Sequence, residues 1–458
     1  MTLSGQEKME KIVSLAKQRG FIYQGSDIYG GLAGMWDYGP MGVALRNNIK
    51  KLWWNMFVDR RTDIYGIDAS ILMNEKVWQA SGHIEGFSDP LVEDVKTKER
   101  YRADHLLEDA GVNVTGMSID DMAVILKEKN IKSPKGNDLS TPRAFNMMFE
   151  TQVGATEPAQ TSYLRPETAQ GIFTNYKNIL DSFHPKIPFG IAQIGKAFRN
   201  EIAPRDFIFR LRELEAMEIE WFTHESEWEM WFDHFKDALW EWVNVIGLTP
   251  EKVSEYETPD AELAHYSKRT VDFEYDYPFG KKELYGLAYR TDHDLKKHQE
   301  CSKVDLTYFD QASGEHFLPH VIEPALGVDR TVLAILCDAY AEEELPDGEI
   351  RTVFRFVPAV APITVAVLPL MRKDELKNKA NEIFKELIDQ NIRTLYDETG
   401  SIGKRYRRQD EIGTPYAVTI DYETLEDKAV TVRDRDTMEQ IRIPIEELPS
   451  FIHKKLRK

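Results

Sequence analysis

The sequence predicts an α+β protein in two parts: an antiparallel-sheet domain with a helical insertion over residues 1–357, and a smaller α/β domain over 358–458. Three observations carry this reading. FGIAQIGKAFRNE (189–201) and IFRLRELEAMEIEWF (208–222) alternate with period two and are joined by the short loop IAPRDF, the pattern of an antiparallel hairpin. Residues from about 93 to 140 turn charged and amphipathic, as a helical insertion would. Beyond PAVAPI (358–363) strand and helix patterns alternate to the end, which makes a self-sufficient α/β layer. At 458 residues the chain is also longer than one core usually holds.

Taken in order, Met9, Ile12, Val13 and Ala16 recur at helical spacing, and Gly20 stops the helix. GSDIYGGLAGMWDYGP (25–40) is glycine-rich and loop-like. Pro40 opens a second helix, with Leu45, Ile49, Leu52, Trp53 and Met56 on one face; proline suits the first turn, where its missing N–H goes unmissed. VEDVKTKERYRADHLLEDAG and SIDDMAVILKEKN read as charged helices of the insertion, and KSPKGNDLSTP as a loop. After the hairpin, residues 226–247 read as a helix, VDFEYDYP and KELYGLAYR as strands, and GVDRTVLAILCDAY (327–340) as a buried helix, being apolar nearly all round. The last part reads strand ITVAVLPL, helix DELKNKANEIFKELIDQ, strand NIRTLYDE, helix SIGKRYRRQDEI, strands PYAVTID, KAVTVRDR and TMEQIRIP, and a final helix IEELPSFIHKKLRK.

Composition narrows the function. With 42% hydrophobic and 29% charged residues, the chain is globular. No run of about 18 apolar residues exists to span a membrane, and charges interrupt the N-terminal stretch, so a cytosolic location is expected. Two cysteines, Cys301 and Cys337, cannot build a disulfide framework or a four-cysteine zinc site. A net charge of −19 argues against generic nucleic-acid binding, so any such ligand must meet local basic patches.

Some motifs are absent. GSIGKR (400–405) lacks Walker A spacing, and no strand is followed by GxGxxG. His293, His298 and Cys301 do not share a helical face and lack a fourth ligand; solvated surface residues are expected there, and no metal centre. The hairpin is the informative segment. Alternation sets Arg199 and Glu201 on one face of the first strand, and Arg210, Arg212 and Glu218 on one face of the second, against Phe209, Leu211, Met217, Ile219 and Trp221. The charged set needs either solvent and cross-strand partners or a ligand.

GKAFRNE, its loop and FRLRELEAMEIE resemble motif 2 of the class II aminoacyl-tRNA synthetases. EPALGVDR with the apolar helix after it resembles motif 3, and GPMGVALRNNIKKLWW resembles motif 1, the dimer-forming helix. Within that class YLRPETAQGIF (163–173), FNMMF (145–149), IYGGLAGMWDYGP and VIEPALGVD are similar to the glycyl enzymes of the dimeric bacterial kind, from about residue 6 to the end. The C-terminal part resembles a class IIa anticodon-binding domain.

The resemblance implies a glycine–tRNA ligase: a homodimer that activates glycine with ATP and Mg2+ and charges tRNA-Gly. Phosphoryl chemistry of this kind needs positioning and charge neutralisation, which arginine forks supply. The catalytic set implied is Arg199 on the α-phosphate and glycine carboxylate, Arg330 on the γ-phosphate and against adenine, and Glu201 orienting adenine. Asn200, Phe209, Arg210, Leu211, Arg212, Glu213, Leu214, Gly327, Val328 and Asp329 complete the ATP contacts, Arg290 adds a phosphate contact, and Mg2+ lies near Glu283 and Leu284. Glu167, Glu218 and Glu323 would cage the glycine ammonium, with Arg102 reaching in from the insertion. Leu214, Glu215, Ala216, Met217, Pro324, Ala325, Leu326 and Gly327 would fill the space around the substrate. The family usually carries phenylalanine where this chain has Leu214 and serine where it has Ala325; stacking on adenine and a hydroxyl near glycine are lost. A basic cluster, Lys404, Arg405, Arg407 and Arg408 with Tyr406 among them and Arg433 and Arg435 nearby, would meet tRNA. The alternative is an inactive synthetase-like accessory protein that only binds nucleic acid; such proteins lose the arginines that this chain keeps. A serine, threonine or proline enzyme is opposed by the RPETAQG context.

Overall fold

The computed structural model describes residues 4–114, 116–155 and 159–456. Its main sheet has seven strands: β1 (Ile64–Gly66), β2 (Phe189–Phe198), β3 (Glu213–Thr223), β4 (Val253–Glu257), β5 (Arg269–Tyr277), β6 (Gly280–Thr291) and β7 (His320–Gly327), in the order β4-β5-β6-β7-β3-β2-β1. All neighbours are antiparallel except β1 and β2. Alternation along β3 divides its two faces. Met217, Ile219 and Trp221 enter a large core with α1 (Gly5–Gln18), α2 (Pro40–Trp54), the helix Trp228–Val245 and the helix Val328–Ala339. Ala216, Glu218 and Glu220 open on the opposite face, which the helices Ala169–Phe183 and His293–Ser302 close at its far end around Phe222 and Leu295.

The helix boundaries follow local chemistry. Ser4 and Glu7 form a capping box at the start of α1, and Gly20 takes φ +73° just past its end. Pro40 sits at the first turn of α2 as expected, and Leu45, Ile49 and Trp53 face inward. Gly42 is required by contact: a Cβ there would sit 1.9 Å from the Phe21 carbonyl oxygen.

Three expectations need correction. The returning hairpin strand begins at Glu213, and residues 199–212 form a long loop instead of a strand continuation. Arg212 causes this: its guanidinium donates to the Glu201 carbonyl at 2.9 Å and the Ala33 carbonyl at 2.7 Å, folding the loop back on the body. The insertion is mixed: Ser88–Glu93, Arg100–Arg102 and Arg143–Asn146 form a three-stranded sheet beside the short helices Ala103–Asp109 and Ile119–Glu128. VEDVKTKER makes a hairpin because Asp94 turns the chain, accepting from the backbone N–H groups of Lys96 and Thr97. His298 is buried, not solvated, and its ring meets the Gln170 side-chain oxygen at 2.7 Å.

The C-terminal sheet contains β8 (Val365–Pro369), β9 (Thr394–Tyr396), β10 (Tyr416–Ile420), β11 (Ala429–Asp434) and β12 (Gln440–Pro444), in the order β9-β8-β10-β11-β12. Strands β8, β9 and β10 run parallel and the rest antiparallel. The Asp374–Asp389 and Leu448–Leu456 helices cover one face. The Ile402–Ile412 helix covers the other through Ile402 and Tyr406. The final helix ends at Leu456, with Arg457 and Lys458 outside the described residues. This sheet joins the larger body through Arg351, whose buried guanidinium pairs with Asp410 at 2.8 Å.

Candidate active site

A solvent-open cavity lies over the upper face of β3, β6 and β7. Arg199, Glu201, Phe209, Arg210, Leu211, Leu214, Ala216, Glu218, Glu283, Leu284, Ala325, Leu326, Gly327, Asp329 and Arg330 line it, together with Ile208. Most of the expected ATP set is therefore assembled by the loop 199–212, the first turn after β7, and β6. Arg199 follows the end of β2, and its Nε donates to the Pro166 carbonyl at 3.1 Å. Among the described residues its two terminal nitrogens make no hydrogen bond or ion pair, so the fork is available to an anion. Arg330 projects from the first helical turn after β7; it stacks on Phe209 at 4.5 Å and pairs with Glu283 at 3.1 Å. Asp329 anchors that turn, accepting from the Tyr38 hydroxyl at 2.6 Å and the Glu215 backbone N–H at 2.8 Å.

Deeper in, carboxylates gather. Glu218 accepts from the Thr168 backbone N–H at 2.9 Å and from its hydroxyl. Glu167 accepts from the Gln170 amide at 3.0 Å and faces the His83 ring at 3.3 Å. These charges and donors hold Glu167 below the usual carboxylate range despite its burial. Glu323 pairs with Arg290 at 2.9 Å, yet burial and the neighbouring Glu218 and Glu167 push its carboxyl up to about 7. Burial likewise raises Glu218, with Glu167 adding to it. The clustered acids lack enough cations, which is the condition of a site built to receive one.

Other expected contacts lie elsewhere. Arg290 is 2% exposed, donates to Asp294 at 2.8 and 2.9 Å and to Glu323 at 2.9 Å, and does not line the cavity, so it braces the carboxylates. Arg102 is tied to Asp89 at 2.6 Å and Asp104 at 2.5 Å within the insertion and does not line the cavity. Glu215 points through the sheet to Arg46 and Lys50 at 2.7 and 3.2 Å, because odd positions of β3 face α2. For the same reason the Met217 side chain is in the core. Glu213 is exposed and pairs with Lys196 at 2.8 Å. Asn200, Arg212, Val328 and Pro324 do not line the cavity; Asn200 donates its backbone N–H to Met147, and Val328 is buried in the core. His83, Thr168, Gln170, Glu220 and Asp294 escaped the sequence reading. The TAQG tetrapeptide was the available signal: Thr168 and Gln170 are two residues apart and both point at the acids.

In the C-terminal part the basic cluster divides. Arg405 is buried and donates to the Pro369 and Leu370 carbonyls at 2.6 and 3.1 Å. Arg408 pairs with Asp397 at 2.6 Å, and Arg433 and Arg435 are buried on Asp410 and Asp436. The Tyr406 hydroxyl bonds Thr419 at 2.6 Å. Lys404 is exposed and Arg407 half-exposed.

The fold and this cavity are those of a class II aminoacyl-tRNA synthetase: residues 149–339 match the tRNA synthetase class II core domain (G, H, P, S and T), and residues 364–455 match the anticodon binding domain. The chain is 51% identical to a glycine–tRNA ligase of Clostridium acetobutylicum over 99% of its length and 100% of that protein. It is 52% identical to one from Acetivibrio thermocellus, covering 98% of each chain, and 51% identical to one from Bacillus anthracis, covering 98% of this chain and 99% of that protein. The chain belongs to the glycine–tRNA ligase family.

Proposed function

We propose that the chain activates glycine with ATP to glycyl-adenylate, releasing pyrophosphate, and then transfers glycine to the 3′ end of tRNA-Gly. The observation that carries this is the meeting of two opposite sets of charge. Glu167, Glu218 and Glu323 converge behind the cavity, and Arg199 and Arg330 flank its mouth. An α-amino acid with its ammonium among the acids presents its carboxylate towards Arg199. The small walls Ala216 and Ala325 suit a substrate without a side chain.

The first step needs no general base, since a carboxylate oxygen already attacks the α-phosphate; Arg199 and Arg330 offset the charge that develops on the phosphoryl oxygens. Phe209, Leu214 and Arg330 supply flat or apolar surface for adenine, and Leu214 does so without an aromatic ring. Mg2+ arrives with ATP. Glu283, which lines the cavity beside Arg330 and next to Leu284, would offer such a cation a hard oxygen donor.

The same reading assigns residues 1–357 to catalysis and 358–458 to anticodon binding, with Lys404 and Arg407 as tRNA contacts and Arg405 as a structural residue. It also assigns a homodimer through the segment around the start of α2, and the tryptophans at the far end of that helix are not free for it. Trp53 is fully buried in its own core, and Trp54 packs on Gly66. Ile28 and Tyr29 are 88% and 86% exposed and lie with Leu32 in the glycine-rich segment before α2, whose first turn exposes Val43, so this apolar patch is the better interface. ATP, tRNA and the want of any described helix able to cross a membrane suit a cytoplasmic enzyme. Charging of a tRNA-Gly transcript with labelled glycine tests the proposal: ATP-dependent acid-precipitable label is expected, and its absence with active-site-titrated enzyme would sink it.

A further inference from the structure

Beneath the ammonium cage is a carboxyl group that the reaction outlined above does not use. Glu220 is fully buried, and neither of its oxygens has a hydrogen-bond partner among the described residues. It lies two residues beyond Glu218 on the same face of β3. The register that sets Glu218 opposite Ala325 and Trp221 opposite Ile322 brings Glu220 opposite Glu323 on β7. Directly opposed side chains on one face of an antiparallel pair have Cβ atoms about 5 Å apart, so the two buried carboxyl groups are neighbours across the strand pair.

The surrounding groups decide which of them ionises. Glu218 lies along the same strand, Glu323 comes from β7, Arg290 from β6 and Asp294 from the helix after β6; beyond these stand Glu167 and the Tyr266 ring, which covers Arg290 at 3.9 Å. Each of the other carboxylates has donors of its own: Asp294 and Glu323 take Arg290, Glu167 takes Gln170 and His83, and Glu218 takes Thr168. Glu220 alone among them has none. A buried carboxyl with no donor and like charges beside it keeps its proton. Burial and Glu323 raise the affinity of Glu220 for that proton far above the ordinary carboxylate range.

We propose that Glu220 is a positioning residue for glycine: a neutral carboxylic acid that donates its O–H across the strand pair to Glu323. Held between this donor and Arg290, the Glu323 carboxylate is fixed in orientation and is the one of the two that ionises to receive the ammonium. Glu220 does not touch the substrate. The assignment rests on the reading of the acids as an amino-acid site. It adds a fourth glutamate whose required property is its proton and not its charge.

The test compares Glu220→Gln, which keeps a donor of the same shape, with Glu220→Leu, which keeps volume without a donor, and with Glu323→Gln. Glycine-dependent ATP–pyrophosphate exchange gives KM and kcat for each. The expected result is a glycine KM within about threefold of wild type for Glu220→Gln, and a rise of at least tenfold for Glu220→Leu with a smaller change in kcat. If Glu220→Gln raises the KM as far as Glu323→Gln does, Glu220 acts as a charge and the proposal is overturned. If Glu220→Leu matches wild type, Glu220 is a spacer and the proposal is equally overturned. Infrared difference spectra of glutamate-labelled protein at pH 8 read the proton directly: a protonated-carboxyl band present in wild type and missing in Glu220→Gln is expected, and its absence from wild type refutes the assignment. This spectroscopic arm is independent of turnover, so a failure of exchange in the wild-type enzyme would count against the amino-acid site and leave the protonation state separately decided.

Discussion

Replacing Arg290 with methionine separates bracing from phosphate binding. Methionine keeps an unbranched stem and removes the guanidinium together with its contacts over Phe173 and Tyr266. That group makes two bonds to Asp294, at 2.8 and 2.9 Å, and one to Glu323 at 2.9 Å, all inaccessible to water. Breaking one partner of a buried ion pair costs about 3–5 kcal/mol, because the other charge is left uncompensated. Two acids are orphaned here, but Glu323, already pushed up to about 7, escapes by taking a proton. The loss at pH 8 should thus be about 3–5 kcal/mol and arise mainly from Asp294. Arg290 and Gln170 hold the Asp294 carboxyl below its ordinary value in the native protein. A group depressed in this way contributes stability that is present above its unfolded pKa and lost as pH falls. In the variant the native value lies above the unfolded one, and the sign reverses. The gap between variant and wild type should accordingly widen from pH 5 to pH 8. Urea unfolding across that range measures it. A gap below about 1 kcal/mol, or a KM change confined to ATP with unaltered unfolding, would refute the bracing role.

Arg199→Ala and Arg330→Ala should each lower glycine-dependent pyrophosphate exchange by about 100–1,000-fold with unchanged unfolding curves, as expected when one preorganised donor to developing charge is lost; near-wild-type exchange in either would remove it from the site. Glycine binding should strengthen as pH rises through about 7, where Glu323 ionises while the substrate ammonium keeps its charge. At one pH unit below that value only about a tenth of the enzyme is competent, so the glycine KM at pH 6 should be about tenfold above its plateau; a KM that falls on acidification contradicts this. Lys404→Glu with Arg407→Glu should raise the KM for tRNA, more so at low salt, and leave exchange untouched, whereas Arg405→Met should lower the melting temperature; the converse pattern would restore Arg405 as the tRNA contact.

The division between what could and could not be read from the sequence has physical causes. Alternation placed Glu218 above the sheet and Met217, Ile219 and Trp221 below it, because period two holds wherever the chain stays in the ladder. The same rule failed at residues 208–212, where Arg212 satisfies loop carbonyls and holds the chain out of the ladder. Glu215 was assigned to glycine by its neighbours in sequence although its odd position sends it to Arg46. Arg405 and Arg433 looked like RNA ligands in a basic string, yet their partners, the Pro369 carbonyl and Asp410, are distant or neutral in the sequence pattern. Exposure, not charge, separated Lys404 from Arg405. His83 comes to Glu167 only through the fold, from 84 residues away, whereas Asp294 pairs with Arg290 locally, four residues on, in a segment whose histidines drew the attention.

The central claim is that the acids and arginines of one cavity activate glycine and no other amino acid. ATP–pyrophosphate exchange run on the purified chain with glycine, alanine and serine in parallel tests it most directly. The account predicts exchange with glycine and at least about 100-fold less, by kcat/KM, with alanine and serine, whose added atoms must displace the walls at Ala216 and Ala325. Exchange supported equally by alanine, or by no amino acid at all, would contradict it.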